Sequence, residues 1–333
     1  MKVFSISIII PTYNRACLIR ETLDSIKAQT SPHWECIVVD DGSSDDTETI
    51  VAEYSEGDSR FSFYQRDREP KGAPTCRNIG LQHAKGEWVI FLDSDDLLNS
   101  KLIENIIGIN HQLYDNVDAI IYRTDVFEKN IDLSVSYYTP DSIQDDLNSY
   151  LIGNIVWQTS GAVWKKNFVK LIGGFREGLI KGQDWDLAVK ALLNNAKLLK
   201  IPKLGTYHRI GSYAKIGSVA NSCEVHYQFF ESCVELIIVA RKMKNKHASN
   251  ALYASALYRL GCLIWFDVKM PDKTLIKKLT RAQQLNYLNR ITIFGRLYFV
   301  FLFLKIILIE KQFAEYLLAV DGMPRRLFFQ SYS

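Results

Sequence analysis

The sequence lacks the features that identify zinc-binding and disulfide-bonded proteins. None of its six cysteines forms a C-x-x-C pair, and no cluster of them has the spacing of zinc ligands. Three of them stand inside apolar patterns, where cysteine is usually a small buried hydrophobe. A reducing, cytoplasmic compartment is therefore expected. The sequence also contains no internal repeat and no low-complexity segment, which excludes repeat architectures.

Long apolar runs without charge are lacking as well. The run at residues 6–10 ends at Pro11 and is too short for the core of a signal peptide, so it predicts a first strand. The most apolar stretch of the C-terminal part, residues 291–309, contains Arg296 and Lys305. A central charge is costly in a membrane span, so this stretch does not predict a simple spanning helix.

Charge is unevenly distributed along the chain. The net charge is +3, but residues 241–311 alone carry +11, so the remainder carries −8. A strongly basic tail on an acidic body predicts contact between the tail and an anionic surface. We therefore expect a protein that lies peripherally on the inner, cytoplasmic face of the cell membrane and has no nucleic-acid partner. The alternative is a soluble helical subdomain that packs on the rest of the protein.

Strands and helices alternate through the first hundred residues. Apolar runs predict strands over residues 5–10, 35–39, 61–65 and 88–92. The segments between them predict helices over residues 14–29, 47–54 and 74–84, with Asn14 capping the first helix. Repeated βα units of this length imply an α/β protein with a largely parallel sheet and helices on both faces.

Beyond residue 100 the alternation of strands and helices loosens. The predicted elements are a helix over 101–113, a strand over 119–123, an irregular stretch over 134–147, a helix over 184–195 and a strand over 198–201. Residues 207–218 are rich in glycine and serine and contain basic side chains, which predicts a mobile basic loop. From about residue 225 onward the chain is predicted to be helical.

The stretch over residues 88–96 is the most informative in the chain. Five apolar or aromatic residues predict a buried strand, which ends in the carboxylates of Asp93, Asp95 and Asp96. Such close like charges repel each other, and a divalent cation at the carboxyl end of the strand would relieve the repulsion. The alternative is a solvated acidic turn followed by a helix.

Two further acidic pairs stand at predicted strand ends or helix starts. They are Asp40 with Asp41, and Asp184 with Asp186. One edge of the sheet would thus collect several carboxylates, and such a site needs a metal or hydrogen-bond donors from a ligand. A nucleotide diphosphate with Mg²⁺ or Mn²⁺ supplies both.

Five segments resemble the motifs of family 2 glycosyltransferases, which have the GT-A fold. In chain order they are Ser7-Ile8-Ile9-Ile10-Pro11-Thr12-Tyr13-Asn14-Arg15, Val38-Val39-Asp40-Asp41-Gly42-Ser43-Ser44-Asp45, Gly72-Ala73-Pro74-Thr75-Cys76-Arg77-Asn78-Ile79-Gly80, the D-x-D run Asp93-Ser94-Asp95, and Gly174-Phe175 with Gln183-Asp184-Trp185-Asp186. The resemblance covers about the first 220 residues. One departure is Gln183, where the family often has glutamate.

The resemblance implies a catalytic GT-A domain over residues 1–222. Residues 1–100 would be its nucleotide-sugar half and residues 101–222 its acceptor half. Residues 223–333 would form the helical, basic and membrane-associated C-terminal region.

The resemblance also implies roles for individual residues on the donor side. The nucleotide-sugar would be bound by Pro11, Tyr13, Asp41, Arg77, Asn78, Asp93, Ser94, His208 and Arg209. Among these, Asp41 would contact the nucleobase, and Asp93 the ribose. The metal ligand would be Asp95, with Mn²⁺ or Mg²⁺ stabilising the leaving diphosphate.

Some of these residues also have a purely structural interpretation. Asp41 would then cap a helix, and Tyr13 would belong to the core. Arg77 and Asn78 would only brace their loop. The basic pair in the predicted loop would close over the diphosphate or have a structural role.

Asp184 is implied as the general base. It would deprotonate an acceptor hydroxyl, which attacks the anomeric carbon opposite the nucleotide and inverts its configuration. The alternative role of Asp184 is that of a helix cap. The neutral Gln183 beside it removes a negative charge that the family often has, which should matter less than a loss of Asp184.

The function implied is transfer of a sugar, most simply from a UDP-sugar, to a glycan or polyprenyl-linked acceptor. A nucleotidyltransferase is an alternative, but the segment after the first predicted strand lacks the glycine-rich basic loop of that class. A catalytically inactive, glycan-binding or scaffolding protein of the same fold is a second alternative. The intact Asp93, Asp95 and Asp184 argue against it.

Overall fold

The structure is a computed structural model that describes residues 6–109, 116–138, 145–211 and 223–269. The chain divides into two compact units. One is an α/β body that holds most of the described residues up to 211. The other contains most of the two C-terminal helices.

A single nine-stranded sheet forms the centre of the body. Its strands are β1 (Ile6–Thr12), β2 (Trp34–Asp40), β3 (Phe61–Gln65), β4 (Trp88–Phe91), β5 (Leu97–Leu98), β6 (Ala119–Phe127), β7 (Val135–Tyr138), β8 (Ala162–Lys165) and β9 (Leu198–Arg209). Their order across the sheet is β3-β2-β1-β4-β8-β6-β9-β5, and β7 pairs with β6 at the side.

The sheet has a parallel half and a mixed half. Strands β3, β2, β1 and β4 are parallel neighbours, as the alternating βα pattern predicts. In the second half, β8 is antiparallel to both β4 and β6, whereas β6 and β9 are parallel. The short β5 pairs antiparallel with β9. The prediction of parallel pairing therefore describes the first hundred residues well and the rest only in part.

Nine α-helices lie in the described part of the chain. They are α1 (Ile19–Lys27), α2 (Thr47–Gly57), α3 (Ala73–His83), α4 (Leu102–Ile107), α5 (Asp146–Leu151), α6 (Lys166–Leu171), α7 (Gln183–Leu193), α8 (Cys223–Lys242) and α9 (Lys246–Lys269). Short 3-10 helices occupy Ile131–Leu133 and Thr159–Gly161.

The core is built on β1 and β4, in which every residue is buried. Burial of both faces explains why these strands are nearly continuous apolar runs. Each large apolar side chain buried in this way stabilises the fold by about 1.5–3 kcal/mol. On one face, α3 approaches β1 so closely that a Cβ on Gly80 would lie 2.3 Å from Ile9 Cγ2. Helix α3, which carries Arg77, is thus fixed directly on the sheet.

Several predicted boundaries are wrong. Strand β9 continues to Arg209, so His208 and Arg209 lie on a strand and not in a mobile loop. Residues 135–138 form a strand within a stretch predicted to be irregular. Asn14 does not cap the first helix, because α1 begins five residues later and the Asn14 side chain accepts a hydrogen bond from Ser44 N.

The basic tail lies mostly outside the described residues. This applies to residues 291–309, including Arg296 and Lys305, for which the sequence predicts no simple spanning helix. In the ranges that the structure describes, no helix combines the length and apolar character that a membrane span requires.

Candidate active site

The acidic residues of the first half meet at one edge of the sheet. Strands β1, β2 and β4 run parallel, with Thr12 opposite Asp40 and Ile9 opposite Phe91. Their carboxyl ends therefore lead into three neighbouring loops, the position where open α/β sheets bind ligands.

Asp40 and Asp41 have different surroundings, although they are adjacent in sequence. Asp40 is buried and accepts hydrogen bonds from Gly42 N and Ser43 N, at 2.9 and 2.7 Å. Its carboxylate therefore stabilises the turn that follows β2. Asp41 Oδ1 accepts from Arg66 Nε at 2.6 Å and from Gly72 N at 2.9 Å. No described residue bonds to Asp41 Oδ2, which leaves that oxygen as a hydrogen-bond acceptor for a ligand.

The loop after β1 is tied to the loop after β2. Pro11 is a buried residue of β1, and Tyr13 follows the strand half-buried. Asn14 has a φ of 50°, and its backbone N–H donates to Ser43 Oγ at 2.8 Å. The two loops that would flank a nucleobase are therefore held together.

The three carboxylates of the D-x-D stretch face three different cations. Asp93 accepts from Arg77 at 2.5 Å, and Asp95 lies 3.9 Å from Arg15. Asp96 is fully buried and lies 3.0 Å from His208 Nδ1. The intervening Ser94 is buried. The repulsion expected from the sequence is thus relieved in part by basic side chains.

His208 is held as a cation by the carboxylates around it. Burial alone would lower its pKa, but the hydrogen bond and charge of Asp96, together with Asp93 and Asp95, raise the pKa of His208 to about 9. Asp96 also accepts from Ser160 Oγ at 3.1 Å. A positively charged imidazole therefore stands beside the D-x-D loop.

Arg209 supports the D-x-D loop through hydrogen bonds to Asp95 and Asp96. Its Nε donates to the carbonyl of Asp95 at 3.0 Å, and its backbone N–H donates to Asp96 at 3.0 Å. Its Nη2 donates to Glu21 at 2.6 Å, and its guanidinium lies 4.5 Å from the centre of the Phe127 ring. Because the side chain is buried in these contacts, the structure assigns it to the support of the loop.

Arg77 connects the D-x-D loop to helix α7. Its Nη2 donates to Asp93, while its Nη1 donates to Gln183 Oε1 at 2.6 Å. The guanidinium lies 5.0 Å from the centre of the Phe175 ring, and the residue is only 4% exposed. A single buried cation thus joins the D-x-D motif to the first residue of the helix that carries Asp184.

Asn78 has the bracing role that the sequence left open. Its side chain donates to the carbonyl of Phe175 and to Glu177, and it accepts from Phe175 N. A Cβ on Gly174, whose φ is 63°, would lie 2.6 Å from Asn78 Oδ1, which explains the glycine. Asn78 therefore fixes the turn that leads toward α7.

Only one of the two aspartates of α7 faces the charged groups of the site. Asp186 is fully buried between Arg176 and Lys190, each 3.3 Å away, and has a structural role. Asp184 lies in the first turn. Burial raises its pKa, the charge of Arg77 lowers it, and the carboxylate of Asp93 raises it again. Asp184 thus lies within electrostatic reach of the D-x-D motif.

Asp95 is the carboxylate that fits a divalent cation. Its oxygens are hard donors of the kind that Mg²⁺ and Mn²⁺ prefer. Burial and the carboxylates of Asp96 and Asp93 raise the pKa of Asp95 to about 6, and a cation relieves such crowding. Across the described ranges, no three or more His, Cys, Asp and Glu side chains form a metal-binding group.

Sequence reasoning assigned no role in this site to four of its residues. Arg15 and Arg66 each face one of its carboxylates, Asp96 anchors the end of β9, and Gln183 holds Arg77. Arg15 directly follows the first motif and Asp96 the D-x-D, so their positions offered a signal. Arg66 offered none, because its partner is 25 residues away.

Several curated proteins are similar to a part of this chain that covers at most 56% of its length. An uncharacterized glycosyltransferase of Rickettsia typhi is 36% identical over 191 residues, which cover 56% of this chain and 58% of that protein. A Campylobacter jejuni protein named GalNAc(5)-diNAcBac-PP-undecaprenol beta-1,3-glucosyltransferase is 33% identical over 132 residues, covering 40% of this chain and 41% of that protein. The chain spans 31–58% of the length of the first curated relatives that it matches.

Solved structures share the fold at low sequence identity. S. aureus TarS 1-349 in complex with UDP-GlcNAc has a TM-score of 0.58 and 22% identity, and the match covers 78% of this chain and 80% of that chain. The mannosyltransferase PcManGT from Pyrobaculum calidifontis, in complex with GDP-Man and Mn²⁺, has a TM-score of 0.50 and 18% identity, covering 92% and 88%. These likenesses show a GT-A fold.

A family model matches part of the α/β body. The family model described as Glycosyl transferase family 2 matches residues 7–165, which include the loops after β1, β2 and β4. Residues 7–165 are therefore similar to glycosyl transferase family 2, and the α/β body has the GT-A fold.

Proposed function

We propose that the protein is a metal-dependent, inverting glycosyltransferase that moves a sugar from a UDP-sugar to a hydroxyl of a lipid-linked or cell-surface glycan. The observation that carries this proposal is the contact of Arg77 with both Asp93 and Gln183. It joins the predicted donor site to the helix of the predicted base. A protein that only bound glycans would not need this connection.

The donor would lie across the three loops at the carboxyl edge of the sheet. The free oxygen of Asp41 accepts an N–H of the base, a charge-assisted bond worth about 1.5–3 kcal/mol. Arg66 fixes the carboxylate for this role. Pro11 and Tyr13 would line the base pocket, and Asp93 would receive the ribose hydroxyls.

The diphosphate would meet Asp95 through a bound Mn²⁺ or Mg²⁺. When bound, such an ion neutralises the charge that develops on the departing diphosphate. The protonated His208 adds a fixed positive charge at the same place. Arg209 holds the loop in position by its bond to the carbonyl of Asp95.

Asp184 would remove the proton from the acceptor hydroxyl. The oxygen then forms a bond to the anomeric carbon while the bond to the diphosphate breaks, so the configuration inverts. For this step the carboxylate must be ionised and within about 2.6–3.2 Å of the hydroxyl. Arg77 favours the ionised form of Asp184 by its charge.

The relatives support the choice of substrates. Solved TarS structures contain UDP and UDP-GlcNAc, and PcManGT is bound to GDP-Man and Mn²⁺. The Campylobacter relative is named for a PP-undecaprenol acceptor. A nucleotide-sugar donor and a lipid-linked glycan acceptor are therefore the first substrates to test.

A donor screen tests the proposed function directly. The full chain is incubated with UDP-, GDP- and dTDP-sugars, with Mn²⁺, with Mg²⁺ or with a chelator, and release of free nucleotide diphosphate is measured. We expect release from a UDP-sugar that the chelator abolishes. Failure to bind or to cleave any nucleotide-sugar with either metal would overturn the proposal.

We also propose that the basic region over residues 241–311 holds the enzyme on an anionic membrane surface. Its charge of +11 supports this, since each basic residue near such a surface contributes about 1 kcal/mol. The full chain should sediment with anionic vesicles and not with neutral ones, and high salt should release only part of it. The triple variant Lys277→Gln, Lys278→Gln, Arg281→Gln should bind more weakly. Equal binding to both kinds of vesicle would contradict electrostatic attachment.

A further inference from the structure

Gln183 sits between the buried guanidinium and the helix of the base. Its Oε1 accepts from Arg77 Nη1 at 2.6 Å. Its Nε2 donates to the carbonyl of Leu179 at 2.9 Å and lies 3.4 Å from that of Ile180. Both ends of the amide are therefore occupied.

The chemistry of these partners fixes the orientation of the amide. A guanidinium offers only donors and a carbonyl only acceptors. The amide of Gln183 satisfies both only with its oxygen toward Arg77 and its nitrogen toward the turn that precedes α7. A carboxylate would match Arg77 but would place an oxygen against the carbonyls of Leu179 and Ile180.

The neutrality of Gln183 has a consequence for the charge of Arg77. Arg77 makes one direct ion pair, with Asp93, and its charge also acts on Asp184. A second carboxylate at position 183 would neutralise Arg77 further and would stand next to Asp184. An amide holds the guanidinium in place and adds no negative charge.

Other charged and titratable groups act on Asp184 from the elements around it. They are Arg77 on α3, Asp93 after β4, His208 on β9, Tyr138 on β7 and Tyr150 on α5. Arg77 and His208 favour the ionised carboxylate, whereas Asp93 and burial oppose it. Because burial and the charge of Asp93 already raise the pKa of Asp184, one additional negative charge at position 183 would raise it further.

We infer that Gln183 is a positioning residue that anchors Arg77 without neutralising it, and so keeps Asp184 ionised for catalysis at neutral pH. This inference rests on the proposed function, in which Asp184 is the base. It goes beyond the expectation from the resemblance, which is only that the neutral Gln183 matters less than a loss of Asp184.

The pH profile of the Gln183→Glu variant tests this inference. A carboxylate next to a base raises the pKa of the base, by about one unit or more at such short range. The acid limb of the profile of kcat/KM for the acceptor should therefore move up by about one pH unit. On that limb the rate should fall about tenfold, and it should recover at higher pH.

Gln82→Glu is the matched control for this experiment. Gln82 lies on the exposed face of α3, the helix that carries Arg77, so the substitution makes the same charge change away from the site. Its profile should overlay that of the wild type. A uniform loss of rate in Gln183→Glu with an unmoved acid limb would overturn the inference, because it would show a merely structural role.

A second variant keeps the inference testable if Gln183→Glu does not fold. Gln183→Met has a similar length and no charge, and it cannot accept from Arg77. We expect kcat/KM to fall about tenfold without an upward movement of the acid limb, and unchanged kinetics would contradict the inference. Failure of the proposed function itself is distinguishable, since the wild type would then transfer no sugar at any pH.

Discussion

The two halves of the α/β body hold their carboxylates in different ways. In the first half, most of the acids at the strand ends have their partners within the first hundred residues, as Asp40 has in Gly42 and Ser43 and Asp93 has in Arg77. In the second half, the side chains that complete the site reach across the sheet. Arg77 bonds to Gln183 over 106 residues, and His208 approaches Asp96 over 112.

This difference separates binding from chemistry. The first half contains most of the groups proposed to bind the nucleotide-sugar, and the second half supplies the proposed base together with His208 and Arg209. Hydrogen bonds of Arg77, Asn78 and Arg209 are among those that connect the two halves. Substitutions of the groups proposed to bind the donor should therefore affect binding and turnover together, whereas substitution of Asp184 should affect turnover alone.

The largest effect is expected for Asp95→Asn. The proposed metal ligand loses its charge, so metal-dependent transfer should fall below detection while the fold stays intact, because the side chain lies at a strand end and is 30% exposed. Activity with and without Mn²⁺ and the thermal unfolding midpoint give the readout. Full activity with Mn²⁺ would remove Asp95 from the metal site.

A smaller loss is expected for Asp184→Asn. Turnover should drop by about 10²–10⁴, the usual contribution of general acid–base catalysis. Affinity for UDP, measured by calorimetry, should survive because the base contacts the acceptor. If UDP affinity fell in parallel with turnover, Asp184 would belong to the donor side, and the proposed division between the halves would be wrong.

The contact between Asp96 and His208 predicts a dependence of stability on pH. The pKa of His208 is raised from 6.5 to about 9 in the folded protein, so its contribution is complete below pH 6.5 and is lost as the pH rises through 9. The unfolding free energy of the wild type should fall by about 1–3 kcal/mol over this range.

The variant His208→Gln serves as the control for that titration. Its unfolding free energy should change less between pH 6.5 and 9, as chemical denaturation at several pH values would show. Parallel pH dependence in the two proteins would mean that the imidazole is not held as a cation.

Much of the parallel half could be predicted from the sequence. The strand over residues 61–65 has the predicted bounds, and the helix over 73–83 differs by one residue at each end. These elements follow from local patterns, because an apolar run predicts a strand or helix and a nearby glycine or proline predicts where it ends. The acids at the strand ends were placed correctly for the same reason.

The second half resisted prediction because its elements depend on distant partners. Residues 202–209 have a polar, glycine-containing sequence that does not predict a strand, yet they continue β9. They do so because they pair with β6, and because Arg209 bonds to Asp96 and Glu21. The different surroundings of Asp40 and Asp41 also depend on distant partners, and only the resemblance singled out Asp41. Nothing in the local sequence shows that Arg66 would contact Asp41 and not Asp40.

The central claim is that the buried contact between Arg77 and Gln183 couples the D-x-D motif to the helix of the proposed base. A double-mutant cycle on kcat/KM with Arg77→Lys and Gln183→Met tests it most directly, because lysine keeps the charge but loses the planar fork. We predict that Gln183→Met alone lowers kcat/KM about tenfold. Added to Arg77→Lys, it should lower kcat/KM by less than about threefold. The difference corresponds to a coupling free energy of ~1 kcal/mol, within the range for residues in contact. Losses that multiply in the double variant would contradict the claim.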